Sequence, residues 1–105
     1  MMIIVLKQIL THPPSYVIIN IQKATKEFTY CGDELYCNIE SSARGSVRFT
    51  IICDGKEYES YETFGNSSDK RVHFLSESAI RKCKGKPVRL RIDIFDADLY
   101  SIAFR

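Results

Sequence analysis

Paired carboxylates are the smallest machinery that hydrolyses a glycosidic bond, and this chain offers Asp96 with Asp98, and Glu57, Glu59 and Glu62. Asp96 and Asp98 flank Ala97 in what reads as a tight turn between two strands. There, aspartate serves the backbone by accepting from nearby amides, and a turn tip gives no concave pocket to raise an acid's pKa. The glutamates alternate imperfectly with Tyr58 and Tyr61, the pattern of a solvated strand face. His12 and His73 have no acidic neighbour at a spacing that would make a Ser–His–Asp or Cys–His constellation, and the five glycines fall in turns instead of a phosphate-binding run. The sequence predicts no catalytic residue and no bound cofactor.

Four cysteines allow a metal site or disulfides, and their spacing decides. Cys31, Cys37, Cys53 and Cys83 contain no Cys-x-x-Cys pair, so a closed zinc site would lack local pre-organisation, and no metal ligand is expected. Cys37 is in phase with Leu35 and Ile39, and Cys53 with Val47, Phe49 and Ile51, as small buried hydrophobes in strands would be. Cys31 and Cys83 stand outside the alternation and read as free thiols or as a pair.

Aromatic side chains offer a binding chemistry. Sugar rings stack their apolar faces on exposed aromatics, and Tyr58, Tyr61 and Phe64 gather on one strand and the loop after it, a candidate carbohydrate site. The plainer alternative packs one of them inward and leaves the others covering a sheet edge. The chain has no tryptophan, the commonest sugar platform.

The elements that must carry these residues read as strands. Residues 2–11 are an apolar run ended by Pro13 and Pro14, which cannot donate to a ladder, and residues 16–21 resume as a β-branched strand. A turn at 31–33, a strand at 34–40 and a connection at 41–45 follow. Strands 47–53 and 56–61 flank Asp54-Gly55, a pair suited to the positive φ angles of a two-residue hairpin turn. Residues 64–70 read as a polar loop and 71–75 as a short strand. Residues 76–83 are the helical candidate, with Ser76 as N-cap and Gly85 as stop. At the end, Val88, Leu90, Ile92 and Ile94 alternate with Arg89, Arg91 and Asp93, and the chain is expected to fold back on a tight acidic turn at residues 96–98 to a last strand carrying Leu99 and Tyr100. Eight or nine short strands without a helical period predict an all-β fold, a two-sheet antiparallel β-sandwich of jelly-roll type.

The 105 residues suit a single domain over 1–105, with one core and no room for a catalytic insert. A net charge of +2 with scattered basic residues argues against a nucleic-acid surface. The apolar start is broken by Lys7 and Gln8 and reads as a strand, neither a signal peptide nor a membrane span, so the expected location is the cytoplasm or a parent protein whose signal lies outside this stretch.

Several of these segments, taken together, resemble a known module. Thr25-Lys26-Glu27-Phe28 with Gly32 and Leu35-Tyr36-Cys37-Asn38 come first, then Gly45-Ser46-Val47-Arg48-Phe49 with Asp54-Gly55-Lys56. Gly85-Lys86-Pro87-Val88-Arg89-Leu90-Arg91 and Asp96-Ala97-Asp98-Leu99-Tyr100-Ser101 with Phe104 complete the set. From residue 25 to 104 the chain is similar to the C-terminal β-sandwich module that follows the five-bladed propeller in proteins like glycoside hydrolase family 32, the terminal motif being the most specific. The tract before Thr25 does not match. The nucleophile and acid of such hydrolases belong to the propeller, so the resemblance implies a non-catalytic accessory module that packs against a catalytic propeller in cis or in trans. A stand-alone carbohydrate-binding module at Tyr58, Tyr61 and Phe64, or a small interaction domain pairing with a second copy, is the alternative.

Overall fold

The computed structural model describes residues 2–5, 20–25 and 27–105. The elements in order are β1 (Met2–Val5), β2 (Asn20–Ala24), β3 (Leu35–Cys53), β4 (Lys56–Glu59), β5 (Asn66–Val72), α1 (Ala79–Cys83) and β6 (Val88–Phe104). The expected strand at 6–11, the turn at Pro13 and Pro14, His12 and the strand residues 16–19 lie outside the described residues.

The fold is all-β and antiparallel. Among the described residues six strands form one hydrogen-bonded sheet in which β3 and β6 lie side by side along their whole length, from Leu35 opposite Phe104 to Cys53 opposite Val88. A straight 19-residue strand would measure about 60 Å at a rise of roughly 3.3 Å per residue, whereas the longest dimension of the molecule is 39 Å. The long pair is therefore bent. The bend lies where Ser41 pairs with Ala97 and Ser46 with Phe95, so that residues 42–45 of β3 stand against Asp96 alone. Bulges of this kind turn a strand from one layer into the next.

Two halves result. In one, β1 and β5 flank Leu35–Ile39 of β3 and its partners on β6; in the other, β2 and β4 flank residues 46–53 and theirs. The halves face one another, because Phe28 pairs through its backbone with Val88 at one end of β6 while its ring lies 6.0 Å from Phe104 at the other. Period-two alternation aims Leu35, Cys37, Ile39, Val47, Phe49 and Ile51 at the space between, together with Leu90, Ile92, Ile94, Leu99, Ile102 and Phe104, all buried. Burying side chains of this size contributes about 1.5–3 kcal/mol each. The short helix α1 closes one end of the core: Ala79, Ile80 and Cys83 are buried, and Tyr30, stacked on Phe104 at 4.1 Å, donates its hydroxyl to the Ile80 carbonyl at 2.5 Å.

The strands that a sandwich divides between two sheets are joined here in one hydrogen-bonded sheet, since β3 and β6 run through both halves. Three expectations are corrected by this arrangement. The chain does not fold back at residues 96–98; Asp96 takes φ 47° inside a continuous β6, whose two parts pair with β3 and not with each other. The connection expected at 41–45 is the matching bulge in β3. The polar loop expected at 64–70 is largely strand β5, paired with residues 35–40 of β3 although it carries almost no buried side chains. The hairpin at Asp54 (φ 52°) and Gly55 (φ 74°) is formed as expected. The helix is shorter than expected, with Ser78 in place of Ser76 at its start.

Candidate functional site

The site is assembled by a short pairing beyond the named strands. Ser60 and Phe74 form an antiparallel bridge, with Tyr61 N–H donating to the His73 carbonyl at 2.8 Å and Leu75 N–H to the Glu59 carbonyl at 3.0 Å. Strand pleating sends Ser60, Phe74 and Val72 inward, where all three are buried, and leaves Arg71, His73 and Leu75 in an exposed outer row beside Tyr61 and Glu59. Cross-strand neighbours at this spacing touch. Two clefts open along the row.

The first, about 420 Å³, is walled by Tyr61, Leu75, Glu59, Glu62 and Arg48, with Ser60 beneath. Tyr61 and Leu75 are 59% and 57% exposed, a large apolar offering for so small a domain. Arg48 spans the two carboxylates at 3.3 Å to Glu59 and 3.2 Å to Glu62 and so holds planar polar groups around the tyrosine ring. At such exposure these pairs contribute little to stability. The second cleft, about 490 Å³, has Phe74 and Ile80 in its floor and Arg71, His73, Glu77 and Arg81 among its rim residues.

Asp33, His73 and Ser78 also line this second cleft. They do not form a nucleophilic triad. Asp33 accepts from Lys84 Nζ at 2.9 Å, a bond that holds its carboxyl below the usual range, and the Ser78 hydroxyl lies 3.5 Å from that of Ser76. Among the described residues no hydrogen bond joins the three.

The aromatics singled out in the sequence separate. Tyr61 stands at the first cleft. Tyr58 is half-buried against the core with Lys82 Nζ 5.9 Å from its ring centre, while Phe64 is 61% exposed under Lys70 Nζ at 6.0 Å. Among the described residues no ring contact joins any two of them. His73, Leu75 and Arg81 escaped the sequence reading; the alternation of exposed Arg71, His73 and Leu75 with Val72 and Phe74 was its available signal.

The remaining candidates have structural partners. Asp96 accepts from the Ser42 hydroxyl across the bulge, and Glu57 pairs with Arg91 at 3.0 Å. All four cysteines are free: Cys31 is exposed, while Cys37, Cys53 and Cys83 are buried. Burial pushes the Cys37 thiol up to about 12, and burial with the adjoining Cys53 thiol does the same for Cys83. Cys83 lies against Cys53, and it forms no disulfide with Cys31. Among the described residues no group of three or more His, Cys, Asp or Glu side chains is arranged to hold a metal ion, and no helix is long and apolar enough to cross a membrane. Comparison with protein-family models, with curated proteins and with solved structures found no match for the chain.

Proposed function

We propose that the protein is a non-catalytic accessory module of a glycoside-hydrolase-like protein and that it holds carbohydrate at the cleft around Tyr61. The observation that carries this reading is the exposed Tyr61 ring beside Leu75, ringed by Arg48, Glu59 and Glu62. An apolar face for a sugar ring and planar polar groups for its hydroxyls are the two things saccharide recognition needs. The terminal motif from Gly85 to Phe104 supports the association with glycoside hydrolases.

Affinity electrophoresis against soluble fructans, β-glucans and xylans tests it. Retardation by at least one polysaccharide is expected, and Tyr61→Ala should abolish the shift. The chain alone should hydrolyse no aryl glycoside. Turnover lost on Asp96→Asn would overturn the non-catalytic assignment.

A second reading rests on Leu75 and Phe64, which with Tyr61 expose apolar surface suited to burial against another domain. Without retardation by any glycan, the sugar reading falls and docking on a catalytic propeller replaces it. An isolated family 32-type propeller stripped of its own module would then gain thermal stability from added protein, and Leu75→Asp would cancel the gain.

A further inference from the structure

We infer that the saccharide contact is not a single subsite but a groove for an oligosaccharide, running from Tyr61 and Leu75 across His73 to Arg71 and Arg81; this rests on the carbohydrate reading above. The two clefts are not independent features. His73 lines the second and lies directly across the strand pair from Tyr61, which lines the first. Consecutive residues line both, His73 and Phe74 the second and Leu75 the first, and the pleat puts His73 and Leu75 on the same exposed side. From Leu75 to Arg71 the row covers about 13 Å at a strand's rise of roughly 3.3 Å per residue. A single sugar ring cannot cover that length.

The chemistry changes along the groove in a way that suits successive units. At one end the Tyr61 ring gives a stacking face. In the middle the His73 imidazole, exposed and with no side-chain hydrogen bond among the described residues, has a donor and an acceptor free for hydroxyls. At the far end the Arg81 guanidinium, likewise without an ion pair among the described residues, and Glu77 stand over the buried Phe74 and Ile80. The Arg71 guanidinium is already fixed by Glu34 at 2.9 Å, which presents its remaining donors in a set orientation. Side chains held in place before binding lose less entropy when a ligand arrives.

Calorimetric titration with mono-, tri- and hexasaccharides of the gluco-, xylo- and fructo-series decides the matter. In the series that binds, the hexasaccharide should bind at least tenfold more tightly than the monosaccharide. His73→Ala and Arg81→Ala, both exposed and expected to fold normally by circular dichroism, should lower hexasaccharide affinity three- to tenfold and leave the weaker monosaccharide affinity unchanged. Tyr61→Ala should abolish binding at every length. Equal affinity for all lengths, with His73→Ala and Arg81→Ala neutral, would overturn the groove while leaving the Tyr61 site standing. Absence of binding to every saccharide would overturn the carbohydrate reading itself.

Discussion

Gly45 passes so close to Asp96 that a Cβ on the glycine would overlap the Asp96 carbonyl oxygen. No side chain fits there, and the contact sits in the bulge at which β3 and β6 bend from one half of the sheet into the other.

Gly45→Ala should therefore destabilise the fold by about 1–3 kcal/mol or more, the range of overpacking at a tight site. Gly55→Ala is the control, since nothing lies within 4 Å of its Cβ position and its φ of 74° carries only the left-handed cost, roughly 1–2 kcal/mol. Urea unfolding of both variants measures the difference. A Gly45→Ala protein as stable as the parent would mean that the two strands do not approach this closely at the bulge.

Leu90 and Arg89 are neighbours on β6 with opposite fates, one fully buried and one exposed. Leu90→Ala should cost about 2–5 kcal/mol, a large part of a small domain's roughly 5–15 kcal/mol, and Arg89→Ala should stay within about 0.5 kcal/mol. Thermal and denaturant melts of the pair test the phase of the strand. Deletion from Asp98 onward should unfold the protein, because it removes Leu99, Ile102 and Phe104 from the core.

Thr50 is 1% exposed, and its hydroxyl has no hydrogen-bond partner among the described residues. An unsatisfied buried hydroxyl costs about 1–3 kcal/mol, and valine has nearly the same shape with a methyl in its place. Thr50→Val should raise the denaturation midpoint. A lowered midpoint would show that the hydroxyl is satisfied in solution.

The thiols give a reactivity order and a pH dependence. Ellman's reagent should modify Cys31 at once and the buried Cys37, Cys53 and Cys83 only on unfolding. The folded Cys37 thiol is raised from 9.0 to about 12, so between those values the unfolded chain releases a proton that the folded chain keeps. Stability contributed by this group is intact below about pH 9 and falls as pH rises, by up to about 1.4 kcal/mol per pH unit. Cys37→Ala should start lower at neutral pH and decline less steeply between pH 9 and 11 in urea melts.

Much of the core was legible as alternation. Leu35, Cys37 and Ile39, Val47 to Cys53, and Val88 to Ile94 all bury the faces that their period assigns. Asp54-Gly55 announced its own turn, because that chemistry is local. The bend was misread for the same reason. Ser41, Ser42 and Gly45 on one strand and Asp96 on the other are residues that serve tight turns and bulges equally, and only pairing with a strand distant in sequence tells one from the other. Residues 66–70 of β5 went unseen because their side chains are largely exposed on both faces and leave no period to detect. At the site, Tyr61 could be picked out as an aromatic on a polar strand. Its neighbours His73 and Leu75 depend on the bridge between Ser60 and Phe74, which no local pattern reveals.

Because β3 and β6 are shared by both halves, neither half can be excised and keep its structure. The pairing that joins Leu35 to Phe104 spans 69 residues (104 less 35), so folding has to close a long loop before most of the core can form. Domains dominated by such contacts fold in milliseconds to seconds, not microseconds. A nascent chain would hold Leu35–Cys53 without its longest partner until β6 is synthesised, with only β4 and β5 to pair along it. That interval makes β3 the segment most open to aggregation during synthesis.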